Sequence, residues 1–151
     1  MFKIFVPSSM ERQNVKLALN VFDRRIVSAL RVCGPQKSIV NWDCTAKFIE
    51  HICSWWDISN VKTPWKGVRL RNNFQKPITH PDCSQIKFFE EFLCWLSKWK
   101  TFPKNKRLTD QTHSALAHTL EGQIKLSRYL LLEKKISYVL LGKFQTDNLE
   151  H

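Results

Sequence analysis

The chain has 151 residues, of which 43% are hydrophobic and 12% aromatic, and this composition is typical of a globular protein rather than a disordered one. Only four Gly and six Pro are present, which argues against a turn-rich all-β protein. The 24 Lys and Arg outnumber the 13 Asp and Glu, and the formal net charge is +11 at pH 7. This basic excess favours polyanionic partners such as nucleic acid, nucleotide phosphates or an anionic membrane, although an inert basic surface would give the same charge.

Five cysteines occur, at positions 33, 44, 53, 83 and 94, and none forms a Cys-x-x-Cys pair. We expect them to be reduced and mostly buried, as in an intracellular protein that is not secreted. The N-terminal residues contain no apolar run of the length that a secretory leader needs. No apolar stretch reaches about 18 residues, so the sequence predicts no membrane-spanning helix and no membrane partner.

Four helices are predicted from apolar residues that recur at steps of three and four. The first covers residues 11–32, and Cys33-Gly34-Pro35 should end it, because Gly suits a C-terminal turn and Pro cannot continue a helix. The second covers residues 41–60, with Asn41 or Asp43 as its N-cap.

The third predicted helix covers residues 81–100, with Thr79 or Asp82 as its cap and a broad apolar face for the core. A short basic linker then leads to a fourth helix, which opens at Leu108-Thr109-Asp110 and ends near residue 133. Gly122 lies within that helix, at a cost of roughly 1 kcal/mol unless close packing requires it. The apolar run 136–144 predicts either a short helix or a strand. Together the patterns indicate an all-α bundle of about four to six helices.

A basic segment, residues 62–76, lies in a long irregular stretch between the second and third predicted helices. It mixes aromatic residues with five cations: Lys62, Lys66, Arg69, Arg71 and Lys76. Such a mixture suits phosphate contact and base stacking, and long loops of compact domains are often functional. The alternative, which we slightly favour from composition, is a loop that Trp65 and Phe74 pin to the core.

Three motifs of catalysis or cofactor binding are absent from the sequence: the phosphate-binding loop, the dinucleotide fingerprint and the paired-histidine zinc motif. The five His do not complete a zinc ligand set, and we expect each to be a surface or capping residue. Asn20 and Asp23 have an Asn-x-x-Asp spacing, and a carboxylate can accept from both N1–H and the exocyclic amine of guanine. The favoured alternative places both residues on the polar face of the first helix.

Several stretches, taken in order, resemble the insertion domain of P element-type DNA transposases, the DDE transposases often joined to a zinc-coordinating THAP domain. They are Met10-x4-Val15-Lys16-Leu17-Ala18-Leu19, Ser28-Ala29-Leu30, Phe48-Ile49, Trp56-Asp57-Ile58-Ser59-Asn60, Thr119-x-x-Gly122 and Tyr138-Val139-Leu140. The final stretch, from Lys143 to Glu150, is similar to the segment in which that family's chain returns to its RNase H-like catalytic core. The resemblance divides the chain into an insertion domain, residues 1–144, and the start of the RNase H-like segment, residues 145–151.

The resemblance implies a helical domain that binds GTP without hydrolysing it and helps to assemble the protein with transposon DNA in the nucleus. By motif, Glu150 corresponds to the last acid of the DDE triad and Asp147 to a residue that reads the guanine base. Asp23 is carried over as a second guanine contact. We assign the cations of the basic segment to phosphate or DNA contacts from their charge alone.

Catalysis is not expected of this chain. Two-metal strand transfer needs several carboxylates around two Mg²⁺ ions, and the resemblance places the first two acids upstream of residue 1. Glu150 alone cannot hold the metal pair, so we expect a non-catalytic fragment or domesticated remnant, with any oligomer formed through the missing domains.

One alternative is a basic helical module that binds DNA or protein without a nucleotide site. Another is a poorly folding product, against which a cooperative thermal transition would argue.

Overall fold

The computed structural model describes residues 19–145, and this range contains five α-helices. They are α1 (Arg24–Gln36), α2 (Trp42–Ser59), α3 (Lys66–Arg69), α4 (Ser84–Lys100) and α5 (Asp110–Leu132). Short 3-10 helices lie at Asn73–Gln75, Lys104–Lys106 and Leu141–Phe144. The predicted all-α class with four to six helices is confirmed. Within residues 19–145, no helix is both long and apolar enough to cross a membrane.

Two compact units make up the chain, and the division falls between Trp56 and Asp57, inside α2. The boundary after residue 144 that the resemblance implies stays a prediction, because residues 146–151 lie outside the described range.

The first unit is built on the packing of α1 against the N-terminal part of α2. Its core consists of buried small and aliphatic side chains from both helices: Val27, Ala46, Ile49 and Cys53. Phe22 packs at the edge of this core and meets Phe48 edge to face, with ring centroids 6.0 Å apart. The Cys53 thiol donates to the Phe22 carbonyl at 3.2 Å, which ties the chain before α1 to α2.

The predicted first helix is interrupted at residues 20–23, and α1 begins at Arg24 because Asp23 caps it. Residues 20–23 are not helical, and the Asp23 carboxylate accepts a hydrogen bond from the Arg25 backbone N–H at 2.8 Å. A short acidic side chain at this position satisfies an amide that has no partner within the helix. Residues 11–18 of the predicted helix lie outside the described range.

The predicted stop of the first helix was also wrong, since α1 continues through Gly34 and Pro35 to Gln36. Gly34 serves packing rather than a terminal turn, because a Cβ added there would lie 2.4 Å from Cγ of Trp42. Pro35 lies in the last turn of α1, and the helix ends one residue later.

The second unit is centred on the pair α4 and α5, whose facing sides bury large apolar residues: Ile86, Phe89, Phe92, Leu96, Leu120 and Ile124. The predicted broad apolar face of the third helix is therefore core. His113 of α5 is also buried, and its Nε2 lies 3.0 Å from the Leu96 carbonyl oxygen. The expected surface or capping role was wrong for His113, because its ring bridges two packed helices.

The start of α5 agrees with the prediction, and the start of α4 does not. α5 begins after Thr109, within the predicted opening at Leu108-Thr109-Asp110, and the Thr109 hydroxyl accepts the Thr112 backbone N–H at 3.2 Å. α4 begins at Ser84, three residues later than predicted, and neither Thr79 nor Asp82 is its N-cap. The backbone N–H of Asp82 instead donates to His80 Nδ1 at 3.2 Å, which holds residues 80–82 in a turn.

The run 136–144 forms neither a regular helix nor a full strand. Val139 pairs with Ile78 in an isolated antiparallel bridge, the single β pairing within the described range, and a 3-10 helix then covers Leu141–Phe144. The Gly142 N–H donates to the Val61 carbonyl at 3.0 Å. These bonds attach the end of the described chain to the stretch that follows α2.

All five cysteines are free thiols. Cys53 is buried, two others are partly buried, and Cys44 and Cys94 are exposed. The expectation of mostly buried cysteines was wrong, since only Cys53 is buried, where it packs in the core between α1 and α2.

Candidate nucleic-acid interface

The basic segment is more ordered than the predicted irregular stretch, because the Asp57 carboxylate holds two of its side chains. Asn72 Nδ2 donates to one carboxylate oxygen at 3.1 Å, and Gln75 Nε2 donates to the other at 2.7 Å. Asp57 was not predicted as an anchor, since no spacing signal links a carboxylate near a helix end to amides 15 and 18 residues later. Its role emerges only when the segment folds back over the end of α2.

Further contacts fix the backbone of the segment. Gln85 of α4 donates from Nε2 to the carbonyls of Asn73 and Lys76, at 3.1 and 3.3 Å. A Cβ at Gly67 would lie 2.4 Å from the Lys76 backbone nitrogen, so only glycine allows α3 to approach the segment's end this closely. Phe74 packs on Phe88 of α4, with ring centroids 5.2 Å apart.

Trp65 is not pinned to the core. Its side chain is 75% exposed, and Val68 and Leu70 on the same short stretch are 62% and 53% exposed. The pinned-loop alternative is therefore correct for Phe74 and wrong for Trp65. The exposed Val68 and Leu70 were not singled out from sequence, because their apolar character alone predicts burial.

The five predicted cations divide by exposure. Arg69, Arg71 and Lys76 are exposed, whereas Lys62 and Lys66 are half-buried. The Lys66 ammonium group donates to the Asn60 carbonyl at 3.3 Å, which holds α3 near the end of α2. The segment thus presents three solvent-facing cations together with an exposed indole. Cations contact phosphate oxygens, and an indole face can stack on a base.

Asp23 lies in the first unit, and its carboxylate is engaged by its own helix. Arg25 donates from Nε and Nη2 to the same carboxylate oxygen at 2.9 and 2.6 Å. The side-chain hydrogen bond from Arg25, together with the backbone bond and the opposite charge, holds the pKa of Asp23 below its usual value of 3.8. A guanine contact at Asp23 would therefore have to displace the Arg25 guanidinium. Asn20 and Asp23 both precede α1 rather than lying on its polar face.

The other two predicted acids, Asp147 and Glu150, lie outside the described residues. Within residues 19–145, no group of three or more His, Cys, Asp or Glu side chains is placed to hold a metal ion. Comparisons of the chain with protein-family models, curated proteins and solved structures found no match.

Proposed function

We propose that this chain is a non-catalytic helical module that associates with DNA through its basic segment, as the resemblance to P element-type transposases implies. The observation that carries the proposal is the exposure of Trp65, which is 75% accessible within a stretch of five cations and no carboxylate. A single exposed apolar side chain needs no explanation. Here, however, three exposed apolar side chains alternate with cations on a fixed backbone.

The anchored backbone supports binding because it lowers the entropy cost of association. A loop that must be ordered on binding costs conformational entropy, and a backbone that is already held in place reduces that cost. Asp57, Gln85 and Gly67 hold the frame before any partner arrives. Arg69 and Arg71 then contribute charge, and Trp65 contributes a ring face that is independent of base sequence.

Fluorescence anisotropy with a labelled single-stranded oligonucleotide at several salt concentrations tests the proposal. The Arg69→Gln/Arg71→Gln variant should reduce the slope of log affinity against log salt by about 1.4, since each phosphate contact on a single strand contributes about 0.7. Trp65→Leu should weaken binding about fivefold or more with little change in slope, because one stacked base is lost.

Lys37→Gln/Lys87→Gln is the matched control, because it removes two exposed positive charges outside the basic segment. Equal effects of this control and the arginine variant would refute a specific interface, and an unchanged affinity of Trp65→Leu would refute stacking. Circular dichroism of each variant would confirm that the helices are intact.

Binding of GTP stays a prediction of the resemblance, resting on Asp147 and Asp23. Titration of fluorescent GTP and ATP against the full chain tests it: a preference for GTP supports the guanine contacts, and equal or undetectable binding of both refutes them. DNA binding that GTP does not alter would favour the basic module without a nucleotide site. Nuclear location and the absence of catalysis through Glu150 and Mg²⁺ are likewise proposals.

A further inference from the structure

A second concentration of positive charge lies outside the basic segment, at the turn between α4 and α5. Residues 98–107, called here the basic turn, contain five of the chain's 24 Lys and Arg and no Asp or Glu. Four of the cations are exposed lysines: Lys98, Lys100, Lys104 and Lys106. Phe102 lies among them and is 54% exposed. An exposed ring among cations is the same combination that Trp65 forms in the basic segment.

Hydrogen bonds within the basic turn hold its backbone in place. The indole N–H of Trp99 donates to the Lys106 carbonyl at 3.1 Å, and the Thr101 hydroxyl donates to the Lys98 carbonyl at 2.7 Å. The Arg107 guanidinium donates to the Lys100 carbonyl. The first and third of these bonds join residues on opposite sides of Phe102, and the second lies just before it in the chain. The bonds therefore close the backbone of the turn into a frame that carries the Phe102 ring and the lysines.

The charges of the turn are only partly neutralised by the chain itself. Arg107 pairs with Asp110 at 2.8 Å and so acts as part of the frame. In the described part of the chain, none of the ammonium groups of Lys98, Lys100, Lys104 and Lys106 forms an ion pair with a carboxylate. Four like charges on one turn repel each other, and an external polyanion would relieve that repulsion.

We propose that the basic turn is a second contact for single-stranded DNA, in which the lysines neutralise phosphates and the Phe102 ring stacks on a base. Base faces are covered in a duplex and open in a single strand, which is why the exposed ring favours single-stranded DNA. The choice of DNA as the polyanion rests on the proposed function, whereas the site itself rests on separate residues.

A partner protein that reads this basic sequence as an extended peptide is a poorer fit. Such recognition would need the carbonyls of Lys98, Lys100 and Lys106 to leave the bonds that close the turn. Phosphates need only the ammonium groups, which extend from the closed frame.

The experiment measures binding of the full chain to an oligothymidylate by anisotropy, and to heparin by the salt concentration that elutes it. Lys104→Gln/Lys106→Gln should reduce the salt slope for the oligonucleotide by about 1.4, whereas the control Lys37→Gln/Lys87→Gln should leave it nearly unchanged. Phe102→Leu should weaken oligonucleotide binding about fivefold or more and leave heparin elution unchanged, because heparin has no bases.

Each outcome decides between the two surfaces. A basic-turn variant that behaves like the control, or a Phe102→Leu variant with unchanged oligonucleotide affinity, overturns the second contact. If the basic-turn variants weaken binding while Trp65→Leu and Arg69→Gln/Arg71→Gln do not, the second contact stands and the proposed role of the basic segment fails. An absence of oligonucleotide binding by the unaltered chain overturns both.

Discussion

Replacement of Gly142 by alanine should destabilise the second unit, because the new methyl group would collide with backbone. A Cβ at this position would lie 2.8 Å from both the carbonyl carbon and the carbonyl oxygen of Val61, while the Gly142 N–H donates to that same oxygen at 3.0 Å. A flexible side chain could turn away, but the peptide group of Val61 cannot do so without moving the chain that follows α2.

The magnitude follows from three contributions. Overpacking in a well-filled site costs typically 1–3 kcal/mol, and loss of the Gly142 hydrogen bond would add about 1 kcal/mol. The lower entropy of the unfolded alanine chain returns about 0.4–1 kcal/mol. We therefore expect Gly142→Ala to lower the free energy of unfolding by about 1–3.5 kcal/mol, measured by urea denaturation followed by circular dichroism.

Gly122→Ala is the matched control in the same unit. Gly122 is exposed on α5, and a Cβ there would have no heavy atom of residues 19–145 within 4 Å. Close packing therefore does not require this glycine, and alanine should raise the free energy of unfolding by about 1 kcal/mol through helix propensity. The two identical substitutions should shift the urea midpoint in opposite directions. A stabilising Gly142→Ala, or shifts of the same sign, would refute the packing argument.

Three further predictions concern polar groups. Ser127 is fully buried and its hydroxyl has no hydrogen-bond partner within residues 19–145, so Ser127→Ala should raise the free energy of unfolding by about 1 kcal/mol in urea denaturation. Asp57→Ala leaves two amide side chains of the basic segment unpaired and should cost about 2 kcal/mol, with faster amide hydrogen exchange there. The pKa of Asp23 is lowered in the folded state, so its stabilising contribution is complete above pH 3.8 and is lost as the pH falls through the folded pKa. Asp23→Asn keeps a capping oxygen, and acid titration by circular dichroism should show a weaker pH dependence for this variant.

The parts of the fold that the sequence predicts well are those in which one periodic face meets a core. Ile86, Phe89 and Phe92 repeat at helical steps and are all fully buried on α4. The Thr109 cap of α5 was also predictable, because a hydroxyl before a periodic segment has a direct local partner. Both signals depend on residues that are close in sequence.

Two of the wrong predictions, the stop of the first helix and the surface role of His113, depend on partners that lie on another helix. Gly34-Pro35 is a strong local signal for a helix end, yet Trp42 occupies the space beside Gly34 and α1 continues past it. His113 looks like a surface residue until α4 supplies the Leu96 carbonyl. Tertiary packing overrides local preference in each case, and no pattern within either helix contains that information.

The candidate sites depend on a different question: whether neighbouring residues already bond to the charged or polar group of a side chain. The Asp23 carboxylate could accept hydrogen bonds from guanine, but Arg25, two residues away, already donates to both of its oxygens. Arg69 and Trp65 have equally ordinary chemistry, but they face solvent on a backbone that other residues hold. A side chain whose hydrogen-bonding groups are paired within the chain stabilises the fold. A side chain that faces solvent from a backbone held in place can bind a partner. By that criterion the basic segment and the basic turn are stronger candidates for function than the carboxylate at Asp23.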